Sequence, residues 1–282
     1  MSTLSPPAEL SPATTSAEIE FAAVDGLSVV TKWRASTPFK LLVPRQRERS
    51  AWVIGSNFGG GMLAGDAIDL SITCTAGSRG IFGTQASTKI YRSPAGATAR
   101  QTMAAAIKAG ALLAVLPDPV ACFADARYEQ RQRFDLHAGA SLVLLDWFTS
   151  GRIARGERWA MERYRSVNEI VVAGRRLVHD AVQLDRADGP LDAPFRTGRF
   201  NCLATALVVG PLVSRAAADL VETVRGHKLE RQADLLITSS PIANGAILRV
   251  AGVSVEAVKS QLIERLAFVH DLLGVDPWSR KW

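Results

Sequence analysis

The first two thirds of the chain alternate hydrophobic and polar residues with a period of two. In the segment IDLSITC at 68–74, every second residue is apolar and the residues between are polar. This pattern is typical of a strand with one buried face. Other strands are predicted at 27–34, 39–43, 51–54, 111–116, 141–148, 159–164 and 177–184.

Glycine-containing turns separate these segments, for example Asp25-Gly26 and Ala173-Gly174. Many short strands with frequent turns predict a large, mainly β body. The segments follow no fixed repeat length, so the pattern alone predicts neither a propeller nor a regular solenoid.

Two helices are predicted near the C-terminus, where apolar residues follow helical spacing. Ser214 is expected to cap the first, at 215–225, and Ser254 to cap a longer one that runs to Leu273. Two more strands are predicted between the helices, at 234–242 and 246–253.

The chain is predicted to form a single domain at 18–282. Its β body spans about 18–212, and a mixed α/β part at about 213–282 packs on that body. Residues 1–17 are rich in Ser, Thr, Pro and Ala and predict a disordered tail without the features of a signal peptide. No run of 18 apolar residues follows, so we expect a cytoplasmic protein that does not enter membranes.

Charge and cysteine content narrow the function classes. Lys and Arg number 33 against 27 Asp and Glu, a net charge of +6. The simpler interpretation of the arginines is a solvated sheet face with many ion pairs, and a basic nucleic-acid-binding protein remains an alternative.

The three cysteines, Cys74, Cys122 and Cys202, are far apart in the sequence and form no CxxC pair. Each is therefore expected to be a small buried side chain in a protein of a reducing compartment.

The histidines do not predict a tight metal site. His137, His179, His227 and His270 have no other His or Cys at the spacing of metal ligands. No cofactor is therefore expected to bind stably.

The residues that bear candidate chemistry lie in several short stretches. The glycine-rich loop at 59–66 ends in Asp66, but a strand rather than a helix follows, which argues against a phosphate loop. The stretch at 84–93 has an unusual number of hydrogen-bonding side chains. Candidate docking residues in it and farther along the chain are Thr88, Lys89, Tyr91, Arg92 and Arg152.

Two carboxylates keep an enzyme alternative open. Asp146 and Glu157 are spaced as the acid and base of an all-β carbohydrate-active enzyme would allow. Carboxylates interleaved with arginines near a turn more often form ion pairs, and Arg152 is the expected partner of Glu157. The residues alone thus favour a binding or scaffolding protein without catalytic activity.

Four ordered blocks resemble the UreD family of urease accessory proteins, also called UreH. The match is good over residues 26–184, with Ala64 where the family more usually has Gly, and is loose in the C-terminal part. The four blocks are GGGMLAGD at 59–66, TQASTKIYR at 84–92, LPDPVACFADARYEQ at 116–130 and DWFTSGRIARGERW at 146–159.

The resemblance implies a fold and a set of partners. The expected fold is an irregular, β-helix-like stack of strands with two C-terminal helices. The expected role is that of a maturation scaffold for nickel incorporation into urease, acting with UreF, the GTPase UreG and apo-urease. The resemblance also implies a homodimeric complex that forms through UreF.

The resemblance also implies that nickel passes through in transit and is not held. Weak oxygen ligands suit such passage better than a His or Cys cluster. Asp66 and Glu157 lie in matched blocks and are the candidate channel or interface carboxylates.

Overall fold

The computed structural model describes residues 14–45, 49–226, 230 and 232–279. Of the predicted tail, residues 1–13 lie outside this part, whereas residues 14–17 already belong to the first strand. The strands are β1 (Thr14–Val24), β2 (Leu27–Ala35), β3 (Phe39–Leu42), β4 (Ala51–Asn57), β5 (Gly61–Met62), β6 (Ala67–Cys74), β7 (Arg79–Thr84), β8 (Thr88–Ile90), β9 (Ala99–Ile107), β10 (Leu112–Leu116), β11 (Val120–Cys122), β12 (Arg127–Leu136), β13 (Ser141–Thr149), β14 (Arg163–Val172), β15 (Arg175–Asp185), β16 (Cys202–Val209), β17 (Leu235–Ile242) and β18 (Gly245–Gly252). The helices are α1 (Ser214–Arg225), α2 (Val255–Arg265) and α3 (Phe268–Leu273).

The strands form two large sheets that face each other. One has seven strands in the order β15-β14-β12-β9-β6-β1-β2, and the other follows β17-β18-β16-β13-β10-β7-β4-β3. The central strands of both sheets are parallel, whereas the outermost pairs are antiparallel. Strands β5, β8 and β11 form a short parallel branch of the larger sheet, which they join through the pairing of β11 with β13.

The chain winds from one sheet to the next in successive coils, which confirms the predicted β-helix-like stack. The coils differ in length. Ala67 pairs with Arg100, Arg100 with Glu129, and Arg127 with Arg163, which gives offsets of 33, 29 and 36 residues. These unequal offsets explain why the sequence shows no fixed repeat.

Whether a strand is buried on one face or on both depends on the sheet to which it belongs. Strand β12 alternates buried and accessible residues because one face of the seven-stranded sheet meets solvent. Strand β10 is buried at all five positions because both faces of its sheet are covered. One core lies between the sheets, and the second lies between the larger sheet and the helices.

The C-terminal part packs on the β body as predicted. Strand β16 pairs with β13, so β16, β18 and β17 continue the larger sheet, and α1 and α2 cover its outer face. The end of α3 also contacts the early strands. The Ser50 hydroxyl donates to the Leu273 carbonyl at 2.7 Å, and the Arg79 guanidinium donates to the Leu272 carbonyl.

Both predicted helices differ in detail from the structure. Ser214 has helical backbone angles and donates its hydroxyl to the Pro211 carbonyl at 3.0 Å, so it does not cap α1. Ser254 does cap α2, by accepting from the Ala257 amide. The predicted second helix is divided into α2 and α3 because the hydrogen bonds become i to i+3 after Leu266.

The predicted strand at 159–164 is wrong over most of its length. Strand β14 begins only at Arg163 and extends to Val172. Trp159 has a positive φ of 51°, which is incompatible with a strand, and its indole donates to the Phe200 carbonyl at 2.9 Å. Its apolar neighbours are buried in a loop rather than in a sheet.

Candidate functional site

One narrow face of the stack brings the chemistry-bearing stretches together. Gly61 of β5 pairs with Lys89 of β8, and Lys89 pairs with Ala121 of β11, so three distant stretches become neighbours. We call this surface the motif face and define it by strands β5, β8 and β11 and the adjoining residues. These adjoining residues are Lys40, Phe58, Gly59, Tyr91, Arg92, Phe123, Arg152, Ile153, Arg155 and Glu157.

A row of stacked side chains crosses the motif face. The Tyr91 hydroxyl donates to the Gly59 carbonyl at 3.1 Å. Its ring meets that of Phe123 edge to face, with the ring centroids 5.3 Å apart. The Arg152 guanidinium lies over the Phe123 ring, with its Cζ atom 3.9 Å from the ring centroid. The row therefore links all four stretches through rigid planar groups.

Glu157 completes this row. Arg152 donates Nε to Oε2 of Glu157 at 2.8 Å and a second N–H to Oε1, and the Ala124 amide donates to Oε2 at 3.1 Å. The hydrogen bond from Arg152 is the main reason that the pKa of Glu157 lies below its usual value of 4.5. The predicted pairing of Arg152 with Glu157 is confirmed.

Two glycines are required where the motif face is most crowded. A Cβ on Gly61 would lie 2.4 Å from the Lys89 carbonyl oxygen and 2.8 Å from the Tyr91 ring. A Cβ on Gly151 would lie 2.7 Å from the carbonyl oxygens of both Cys122 and Glu157. These distances are shorter than van der Waals contact, so the close approach of the strands depends on glycine.

Asp66 lies at the end of the glycine-rich loop, where it closes a turn. The Leu63 amide donates to its Oδ2 at 2.7 Å, and the Arg100 amide donates to its backbone carbonyl, also at 2.7 Å. The residue is buried, with 6% of its surface exposed. Asp66 thus fixes the loop to the next coil, and the structure gives it no hydrogen bond to Glu157.

Thr84, Gln85 and Thr88 line a small cavity of about 140 Å³ behind the motif face. The Thr84 hydroxyl accepts from the Asp118 amide at 2.7 Å, and Gln85 accepts from the Ser56 hydroxyl at 2.7 Å. Gln85 is exposed, as are Lys89 and Arg92, whereas Thr84 and Thr88 are half-buried. The polar stretch therefore combines hydrogen-bonding residues that line the cavity with exposed charged residues.

Asp146 belongs to a separate network between the two sheets. It accepts from Ser166 at 2.6 Å, from Asn168 at 2.7 Å and from Gln130 at 3.1 Å. Burial raises its pKa in spite of these three donors. Asp146 and Glu157 therefore belong to two different hydrogen-bond networks.

The outer face of the seven-stranded sheet carries the expected ion pairs. Glu129 accepts from Arg131 at 2.8 Å and from Arg165 at 2.7 Å, and Arg133 pairs with Asp135 at 2.8 Å and with Glu169 at 3.2 Å. These arginines are neutralised within the molecule, as the pattern of mixed charge predicts.

The cysteines are buried and unreactive. Burial raises the pKa of Cys74 and Cys202 to about 12 and also raises that of Cys122. Within the described ranges, no three side chains of His, Cys, Asp or Glu are grouped closely enough to hold a metal ion. His227 lies outside these ranges.

Comparison with known proteins places this geometry in a family. The sequence model described as UreD urease accessory protein matches residues 13–282. The chain belongs to the UreD family. It is 47% identical over 262 residues to the urease accessory protein UreD of Anaeromyxobacter sp., which covers 93% of this chain and 88% of that protein.

Other UreD relatives span bacteria and plants. The urease accessory protein UreD of Sorangium cellulosum is 45% identical, over 95% of this chain and 84% of that protein. The urease accessory protein D of Oryza sativa subsp. japonica is 31% identical, over 96% of both chains. UreD membership supports a role in urease maturation, and the accessory designation suggests a non-catalytic one. No helix in the described residues has the length and apolar character needed to cross a bilayer.

The motif-face residues that sequence reasoning did not select as site residues are Lys40, Phe58, Phe123, Ile153 and Arg155. Phe123 directly follows β11 in the block at 116–130. An aromatic residue at the end of a short strand was the sequence signal that could have marked it as a site residue. Its role depends on stacking between coils, which the sequence pattern does not reveal.

Proposed function

We propose that this UreD-family chain is a non-catalytic scaffold for the incorporation of nickel into urease. It acts in a complex with UreF and UreG that engages apo-urease, and UreF joins two copies of the complex. The observation that carries this proposal is the convergence of four separate stretches on the motif face. Their charged groups support one another and the backbone, which suits a shaped recognition surface better than an active site.

The nickel ion is cargo in this proposal. The candidates for contact with nickel in transit are two carboxylates, those of Glu157 on the motif face and of Asp66 at the end of the glycine-rich loop. Both already accept hydrogen bonds from protein donors, so binding a passing ion means exchanging those bonds. Such competition favours weak, reversible contact over retention.

The direct test is nickel loading. Urease is produced with UreF and UreG, with and without this chain, and nickel per purified urease is measured together with urea hydrolysis. The proposal expects loading to depend on this chain at limiting nickel. Equal loading in its absence would contradict the proposed function.

The carboxylates are tested in the same assay. Asp66→Asn and Glu157→Gln keep the size of each side chain but remove its charge. We expect the double variant to load urease several-fold more slowly, because a neutral amide is a poorer nickel ligand. If the folded double variant loads urease with nickel at the normal rate, neither carboxylate contributes to nickel transfer.

A further inference from the structure

The cations of the motif face differ from those on β12 and β14 of the seven-stranded sheet. The arginines of these two strands are each paired with a carboxylate. In contrast, Lys40, Lys89, Arg92 and Arg155 are exposed and have no carboxylate within ion-pair distance in the described part of the chain. The motif face is therefore locally basic, because Arg152 and Glu157 neutralise each other there.

Two exposed apolar side chains flank the stacked row. Phe58, at the glycine-loop end, is 67% exposed, and the Lys40 ammonium lies 5.0 Å from its ring centroid. Ile153, next to Arg152 at the other end, is 47% exposed. Each side chain adjoins a backbone segment that is fixed by the row, so each is held in a defined position. Preorganised apolar groups within a charged rim are the usual anatomy of a binding surface.

We propose that the motif face is the docking surface for a protein with an acidic patch around an apolar depression. The inference rests on the proposed function only in seeking this partner among the urease maturation proteins. The four free cations attract the acidic patch and speed association, whereas Phe58 and Ile153 enter the depression and slow dissociation.

A protein partner fits this surface better than a nucleic acid. The Tyr91 and Phe123 rings are already stacked with each other and with Arg152, so they are not open platforms for bases. Phe58 is the one strongly exposed aromatic ring among the described residues of the motif face.

The test compares two sets of charge reversals. The motif-face variant is K89E/R92E/R155E, and the apolar variant is Phe58→Ser. The matched control is R175E/R176E, which reverses two exposed cations at the start of β15, opposite the last residues of β14. All substituted side chains are exposed, and thermal melting verifies that each variant is folded.

Binding of each variant to purified apo-urease, UreF and UreG is measured separately at about 50 mM and about 500 mM salt. We expect one of these proteins to bind wild type and the control equally. Its affinity for the motif-face variant should fall about tenfold or more at low salt, and its affinity for Phe58→Ser should fall at both salt concentrations.

The proposal is overturned if the folded motif-face variants bind all three proteins with unchanged affinity. It is also overturned if the control variant loses as much affinity as the motif-face variant. A third contrary outcome is that wild type binds anionic vesicles or nucleic acid selectively and none of the three proteins. The nickel-loading assay keeps the two proposals distinct. If wild type supports loading and the motif-face variants support it equally, the docking surface is wrong and the proposed function stands.

Discussion

Gly151 and Gly156 lie in the same loop and both have positive φ, of 103° and 75°, but only Gly151 is crowded. Gly156→Ala is expected to lower the free energy of unfolding by about 1 kcal/mol, the cost of a left-handed conformation with a Cβ. Gly151→Ala should cost about 3 kcal/mol or more, because its Cβ also meets two carbonyl oxygens. Urea unfolding measures both, and equal losses would show that the loop relaxes freely around residue 151.

The ion pair of Glu157 predicts a dependence of stability on pH. Because the folded-state pKa is lowered, the pair stabilises the protein above the unfolded value of about 4.5, and this stabilisation is lost as pH falls through the lower folded value. Wild type should be about 1 kcal/mol more stable than Glu157→Gln at pH 7, and the difference should shrink as the pH falls below 4.5.

A control for this effect comes from helix α1. Glu222 pairs with Arg225 at 2.9 Å, but both side chains are about 70% exposed. Glu222→Gln should therefore leave stability nearly unchanged at every pH. A pH profile that is the same for both variants would argue against a special role for the Arg152–Glu157 pair.

Single residues were predictable where their roles are local. The pairing of Arg152 with Glu157 follows from a spacing of five residues across a turn, and buried cysteines follow from their apolar surroundings. The contacts of Asp146 with Gln130, Ser166 and Asn168 join three strands, and no pattern within one strand records them.

At the scale of elements, Ser254 and Ser214 offer a matched comparison. Ser254 accepts from the Ala257 amide and caps α2, whereas Ser214 is already inside α1. Ser254→Ala should cost about 1 kcal/mol, and Ser214→Ala a few tenths of that amount. Urea unfolding checks both values, and an equal cost would mean that the Ser254 hydroxyl contributes nothing as a cap.

Strands were easier to predict than the way in which they assemble. Alternation located β6 and β15 closely, because buried or half-buried residues alternate with more exposed ones along most of each strand. Strands β17 and β18 were predicted closely, at 234–242 and 246–253, whereas β16 was not predicted. The pattern did not predict the parallel stacking, because the offset between paired residues differs from coil to coil. The stacking was predicted only from the resemblance to the family.

At the scale of the whole molecule, the second core connects the last helix to early strands. Leu273 is fully buried, and its carbonyl accepts from Ser50. Leu273→Ala should lower the free energy of unfolding by about 3 kcal/mol, because it leaves a cavity in that core. Leu212→Ala, at a position 37% exposed, should cost under about 1 kcal/mol. Denaturant unfolding distinguishes the two, and a small effect at Leu273 would mean that α3 is only loosely attached.

The contact of α3 with Ser50 and Arg79 has a consequence for biosynthesis. Those two side chains donate to carbonyls that are translated 223 and 193 residues later. The apolar surface around Trp52 and Ile81 therefore stays partly uncovered until α3 has left the ribosome. A chain that stops before α3 would keep that surface open to chaperones and proteases, so the exposure of this surface reports whether α3 has been made and has docked.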